Sequence, residues 1–181
     1  SDNVLGIVCD VTDRQQLKTS VQQTVMHFGG LDMLVCNAGL FPESSAIASL
    51  SDETLEKSLA LNFVSHVHLL QESIPYLERG FDASVVIVAS KNVPAPGPGA
   101  MAYSSAKAAL TQMARVAALE LGVKGIRINV VHPNAVFDTA LWDDKTLQAR
   151  ASAYGVSVDN YKVNNVLGKE VTSAQVASVI A

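Results

Sequence analysis

The 181 residues suffice for one domain, or most of one. A composition that is 49% hydrophobic and 17% charged, with mean hydropathy +0.24, carries enough apolar surface for a sizeable core and excludes a disordered segment. The net charge of −4 without a basic cluster argues against a nucleic-acid partner, and no apolar run approaches the roughly 20 residues that a membrane span requires. No secretory signal is visible at the start. Cys9 and Cys36 both sit in apolar runs and read as buried free thiols, which fits a cytoplasmic setting.

Apolar runs and helical patterns alternate along the chain. Residues 4–11 form a short β-rich run. Residues 13–28 place Leu17, Val21, Val25 and Phe28 at helical spacing, and Gly29–Gly30 end the pattern. A second apolar strand is expected over 31–39. A long amphipathic helix over 50–80 is capped at Ser51 and interrupted by Pro75, where a kink is expected. Residues 83–90 predict a third strand. The Pro- and Gly-rich stretch 92–100 excludes regular structure. An Ala-rich helix runs over 100–122, a fourth strand over 125–133, and residues 140–181 read as helices and turns.

Strands with continuous apolar runs, separated by helices, predict a parallel sheet covered on both faces. Ligands of such sheets sit beyond the carboxyl ends of the strands. Asp10, Asn37 to Gly39, Ser90 and the residues from Pro133 onward all stand at such ends.

Within AYSSAKAAL, Tyr103 and Lys107 are one turn apart on one helix face. A free phenol has a pKa near 10, about three units too high for a base near neutral pH. An ammonium held beside it favours the phenolate and so tunes an acid/base group. The pair alone is weak evidence, since Tyr and Lys at this spacing usually mark an amphipathic surface. Ser90, at a strand end, and Asn62, a polar amide interrupting an apolar helix, add to it.

Together CDVTD, CNAG, LNF, the strand ending in VAS, YSSAK and IRINVVHP resemble the short-chain dehydrogenase/reductase family over nearly the whole chain. SKNVPAPGPGAMAYSSAKAALTQMARVAALELG and VHPNAVFDTALW narrow the resemblance to the dehydrogenase half of bifunctional rhamnulose-1-phosphate aldolase/short-chain dehydrogenases. The resemblance implies an α/β, Rossmann-like doubly wound parallel sheet with helices on both faces, occupying residues 1–181 as one partial domain. It implies an oxidoreductase passing hydride between NAD or NADP and a small alcohol, aldehyde or sugar-derived substrate such as lactaldehyde.

By the same resemblance Tyr103 is the general acid/base. Lys107 lowers its pKa and bonds the nicotinamide ribose, Ser90 polarises the substrate oxygen, and Asn62 holds a relay water. Asp10, with Val11 beside it, would receive the adenine amino group. Asn37, Ala38 and Gly39 would line the adenosine ribose. Pro133 to Val136 would pass the nicotinamide, with the Val136 backbone at its carboxamide. A homodimer or homotetramer is implied, with helices 51–80 and 100–122 packing on their copies through Ala106, Ala109 and Ala117, although Ala-rich helices also pack within a monomer.

Plainer readings stand beside these. Asp10 could cap the next helix, a task that Asp13 or Thr12 suits better. Asn62 could be a structural amide bonded to backbone, a role the family can combine with the relay. His66 and His68 read as core or interface residues, and no ligand set completes a metal site. Trp142 reads equally as a pocket cover or as packing. Lys91 reads as solvated, with a phosphate or carboxylate on the substrate as the alternative.

The sequence departs from the family in HPNAVFDT, where Asn134 replaces the usual Gly and Asp138 precedes Thr139, so that an Asp could reach a substrate hydroxyl. The family's TGxxxGxG-type loop is not in these residues, and the resemblance places the first βαβ unit and the last strand outside them. In the family's sheet order strand 4–9 would then stand three spacings from the next strand, about 14 Å at ~4.8 Å each. It must rearrange, swap between chains or pair with residues elsewhere, while the strands at 31–36, 83–90 and 126–132 form the core. The alternative function is a catalytically inactive structural or oligomerising fragment of such a dehydrogenase.

Overall fold

A computed structural model describes residues 3–181. Asp13 opens helix α1 (Arg14–Phe28): its carboxylate accepts from the backbone N–H groups of Gln15 and Gln16, which a helix start leaves without intrahelical partners. Gly29 ends the helix in the left-handed region, φ 85°, donating its N–H to Val25. Strand β1 (Met33–Cys36) follows, then α2 (Asp52–Leu59), capped by the Ser51 side chain on the Thr54 N–H. A π-helical turn, Ala60–Val64, joins α2 directly to α3 (Ser65–Leu77). Strand β2 (Ser84–Val88), helix α4 (Met101–Gly122) and strand β3 (Arg127–Val131) complete the central unit. Short helices α5 (Asp144–Ala153), α6 (Val158–Lys162) and α7 (Ser173–Ile180) close the chain.

The sheet is parallel, in the order β1-β2-β3. Its register sets the core. Leu34 lies beside Val85 and Ile128, and Cys36 beside Ile87 and Val130. These alternate residues share one face, since side chains on a strand point to opposite sides with period two. That face packs on Leu70 and Leu77 of α3 and on Leu110, Ala114, Ala117 and Leu121 of α4. The other face carries Ser84, Arg127 and Asn129 among its residues, and at its β1 edge Met33 and Val35 stay exposed.

Two expectations are corrected. Residues 4–10 form no strand and pair with nothing among the described residues; Val4 and Val8 are exposed. A β-rich run becomes a strand only where a neighbour offers a ladder of hydrogen bonds, and here none lies beside it. The departure from α-helix in the long segment falls at Ala60–Val64 and not at Pro75. Pro75 stands in the last turn of α3, where its missing N–H forfeits a single bond, while the π-turn is an inserted residue that brings Asn62 inward.

Cys36 is fully buried, and burial pushes its thiol up to about 12. Cys9 is only half-buried, since the run around it lacks a packing partner. Ala106 and Ala117 are buried within the chain itself, which leaves half-buried Ala109, of the three alanines, at a surface of α4. No described helix is long and apolar enough to cross a membrane.

Candidate active site

The ends of β2 and β3 run on side by side beyond the regular ladder. Ala89 donates its N–H to the Val131 carbonyl at 2.9 Å, and Lys91 donates to the Pro133 carbonyl at 3.0 Å. This pairing carries Ser90 and Pro133 out past the strand ends together. Helix α4 then brings Tyr103 and Lys107 up to them.

Ser90 Oγ accepts from the Asn92 backbone N–H at 3.1 Å. With an acceptor site so used, its own proton is left to donate outward. Burial pushes the Tyr103 phenol above its ordinary value, and the neighbouring Ser90 hydroxyl works against that rise. The lowering expected from Lys107 is therefore not the net effect. The ammonium lies 5.9 Å from the centroid of the phenol ring and spends a hydrogen bond on the Val88 carbonyl at 2.9 Å. Lys107 is itself buried, and the loss of solvent brings its pKa down to about 8.

Asn62 is 1% exposed and fully engaged. Its Oδ1 accepts from the Leu40 N–H at 3.0 Å, while Nδ2 donates to the Leu40 carbonyl at 2.9 Å and to Ser58 Oγ at 3.1 Å. These bonds hold the segment after β1 against the π-turn. The same segment is gripped again by His66, whose Nε2 lies 2.9 Å from the Ala38 carbonyl. Burial lowers the His66 pKa to about 4, so the ring is neutral at pH 7 and donates this hydrogen bond through Nε2. His66 thus belongs to the core, as its sequence context suggests, and also anchors the CNAG turn.

Gly39 sits where these groups meet. A Cβ there would lie 3.2 Å from Asn62 Oδ1 and 3.5 Å from Lys107 Nζ. The structure thus joins Asn37 to Gly39, Asn62 and Lys107 into one cluster, adjoining Ser90, Tyr103 and Pro133. Asp10 and Val11 lie apart, in the turn that enters α1. Asp10 Oδ1 accepts from Thr12 N–H and Oγ1 at 2.9 and 2.7 Å, which holds its carboxyl below the usual range. Asp13, not Asp10, is the helix cap.

Beyond β3 the chain is also committed. The Val136 carbonyl accepts from Thr139 Oγ1 at 2.9 Å, and Val136 pairs with Val171 in an isolated parallel bridge. Asp138 accepts from the Ser173 N–H and hydroxyl at the start of α7, so it serves a helix end. Asn134 Oδ1 is buried and has no partner among the described residues. Trp142 packs among Phe137 and Tyr161, with ring centroids at 4.8 and 6.0 Å.

Phe41 and Arg150 went unread in the sequence. The Phe41 ring lies 4.9 Å from that of Tyr103, and the guanidinium of Arg150, on α5, lies 5.3 Å from the Phe41 ring. A lone Arg in a short helix carries no local signal. Only the fold brings it over a hundred residues back to Ser44.

The model of the short chain dehydrogenase family matches residues 1–150. Among curated proteins the chain is similar to the oxidoreductase YuxG of Bacillus subtilis (strain 168), 33% identical over 187 residues that span 98% of this chain and 26% of YuxG. Its fold matches sorbitol-6-phosphate 2-dehydrogenase SrlD from Erwinia amylovora with a TM-score of 0.90 at 21% identity, over 99% of this chain and 71% of that one. It matches an NAD⁺-bound xylitol dehydrogenase with a TM-score of 0.86 at 22% identity, over 96% and 70%. At such identities the two structures speak for the fold alone, and the chain spans about a quarter of the length of YuxG. A family match over most of the chain, on a parallel sheet with Ser90 just past a strand end and Tyr103 and Lys107 on the helix that follows, leaves one conclusion: the chain belongs to the short-chain dehydrogenase family.

Proposed function

We propose that the protein containing this chain is a nicotinamide-dependent alcohol dehydrogenase acting on a small alcohol, aldehyde or sugar-derived substrate of the lactaldehyde type. The observation that carries the reading is the convergence of Ser90 and Tyr103 beside buried Lys107. Tyr103 moves the proton of the carbinol oxygen through Oη. Ser90, its lone pair occupied by the Asn92 N–H, donates to that same oxygen. Lys107 is the buried charge that favours the phenolate once a ligand draws it off the Val88 carbonyl. Asn62 keeps its structural bonds to Leu40, and a relay water is part of the proposal.

NAD or NADP fits the residues present on two counts. Gly39 gives a close-approach surface beside Lys107 that a side chain would narrow, and the orphaned Asn134 Oδ1 can accept from a carboxamide. Asn37, Ala38, Gly39, Lys107, Pro133 and the Val136 backbone would hold the cofactor, with Asp10 and Val11 at its adenine. When bound, it accepts or supplies the hydride.

The aldolase-fused parent and a homodimer or homotetramer belong to the same proposal. The first is supported by alignment of nearly the whole chain to a quarter of YuxG. The second is supported by an apolar groove of about 530 Å³ between α3 and α4, lined by Phe63, Val67, Ile74, Ala109, Met113 and Val116. The two free thiols suit the cytoplasmic setting proposed for it.

The unpaired apolar residues Val4 and Val8 favour a second reading, in which this chain alone is an inactive fragment. The test is NAD⁺- and NADP⁺-dependent oxidation of small alcohols by the full-length protein and its Tyr103→Phe variant, with calorimetric titration of both cofactors into the 181-residue chain. A loss of 10²-fold or more in kcat is expected for the variant, from removal of the acid/base group. Turnover retained by Tyr103→Phe refutes the proposal. Failure of the short chain to bind either cofactor while the full-length protein turns over supports the fragment reading for the chain alone.

A further inference from the structure

Helix α4 starts without the usual support. Its cap position is Ala100, whose side chain has no oxygen to accept from the first-turn N–H groups. Tyr103 stands in that first turn. A reacting group must be held to within about 0.5 Å, which an uncapped turn alone does poorly. The segment leading into α4 is held from elsewhere. Gly99, in the left-handed region at φ 72°, lies close against Ser44, and its carbonyl accepts from the Ser45 N–H at 3.2 Å. Arg150, on α5, spans the same two segments. Its Nη1 donates to the Pro98 carbonyl at 2.8 Å and to Ser44 Oγ at 3.3 Å.

Arg150 is 3% exposed, and among the described residues no carboxylate pairs with it. A guanidinium is rarely buried on neutral acceptors alone. Here its surroundings are filled by the protein itself. The rings of Phe41 and Tyr154 lie 5.3 and 5.4 Å from the guanidinium carbon. A Cβ at Gly97 would lie 2.8 Å from Nη2 and would overlap the Tyr154 hydroxyl. Arg150 thus ties α5 to both segments, and two routes lead from it to the site. One is Phe41, whose ring packs on that of Tyr103 with centroids 4.9 Å apart. The other is Pro98, which stands three residues before the first residue of α4.

We propose that Arg150 is a positioning residue: it clasps α5 to segments 41–45 and 97–99, and through Phe41 and the start of α4 it sets where the Tyr103 phenol stands. The proposal rests on the acid/base reading of Tyr103 and goes beyond it by giving α5 a part in that chemistry. A planar guanidinium suits the task better than an ammonium, because it donates within its plane and stacks on rings at once. Loosening the clasp lets the phenol move, and a displacement of about 1 Å can cost about 10²-fold in rate.

The experiment uses the full-length protein. Wild type is compared with Arg150→Met, Arg150→Lys, Gly97→Ala, Phe41→Leu and the double variant Arg150→Met with Phe41→Leu, each checked for folding by circular dichroism. Gly97→Ala displaces the ends of the Arg150 and Tyr154 side chains, and so opens the clasp while keeping the charge. In small-alcohol oxidation kcat is expected to fall about tenfold or more in Arg150→Met, Arg150→Lys and Gly97→Ala. The Kd for NAD⁺ or NADP⁺, by calorimetric titration, is expected to stay within about twofold, which separates a misplaced phenol from a loosened site. In the double variant the kcat loss should fall well short of the product of the two single losses, because both act on one contact. The place of Tyr103 is also read without turnover. In fluorotyrosine-labelled protein its fluorine resonance, identified by its absence from Tyr103→Phe, should shift in Arg150→Met and Gly97→Ala, while that of Tyr76 on α3 should not. An unchanged kcat, full activity in Arg150→Lys, losses that multiply, a cofactor Kd that rises in step with the loss of kcat, or an unmoved Tyr103 resonance overturns the proposal. If Arg150→Met fails to fold, Gly97→Ala decides. Should wild type turn over no alcohol, the dehydrogenase reading falls, and the resonance still decides whether Arg150 places Tyr103.

Discussion

Asn62→Ala tests whether the segment after β1 is held by the amide of the π-turn. The side chain makes three hydrogen bonds, two with the Leu40 backbone and one with Ser58 Oγ, at 2.9 to 3.1 Å. At a net contribution of about 1 kcal/mol each, their loss costs about 3 kcal/mol, a large part of an ordinary domain's stability. Ser58→Ala removes one of the three and should cost about 1 kcal/mol. Urea unfolding measures both, read as a shift in midpoint at constant slope. The double variant should resemble Asn62→Ala, because the Ser58 bond is already gone in it. An Asn62→Ala cost no larger than that of Ser58→Ala would refute the reasoning, because the Leu40 bonds would then contribute nothing.

Two further outcomes follow from the same geometry. His66 has a folded pKa of about 4 against an ordinary 6.5, so between those values the unfolded state binds more protons. Its contribution to stability is complete above pH 6.5 and is lost as pH falls from 6.5 to 4. Thermal unfolding across that window should show the loss in wild type and a shallower slope in His66→Gln. Gly80→Ala should destabilise by about 1–3 kcal/mol, since the added Cβ would lie 2.5 Å from the Leu31 carbonyl oxygen, whereas Gly30→Ala meets nothing within 4 Å and should be neutral or mildly stabilising. Denaturant midpoints that do not separate the two would count against the packing at Gly80.

Features set by neighbours along the chain were legible. The Asp13 cap, the Gly29 stop, the helix over 101–122 and the three strand runs depend on local dihedral preference, capping chemistry and hydrophobic period. Tyr103 and Lys107 share a helix face for the same reason. Their electrostatics were not legible. Lys107 donates to the Val88 carbonyl at the end of β2, and burial raises the Tyr103 phenol.

What the sequence alone determined was therefore the run of elements, the family likeness and the residue types standing at the strand ends. The tertiary structure decided which of those residues meet. Residues 4–10 have strand composition and no strand, because a ladder requires a partner. Asn62 has the amide of a relay residue and the bonds of a brace, because the π-turn aims it at Leu40. Arg150 gives no signal in the sequence and is buried beside Phe41, because side chains distant in sequence meet only once the core has packed.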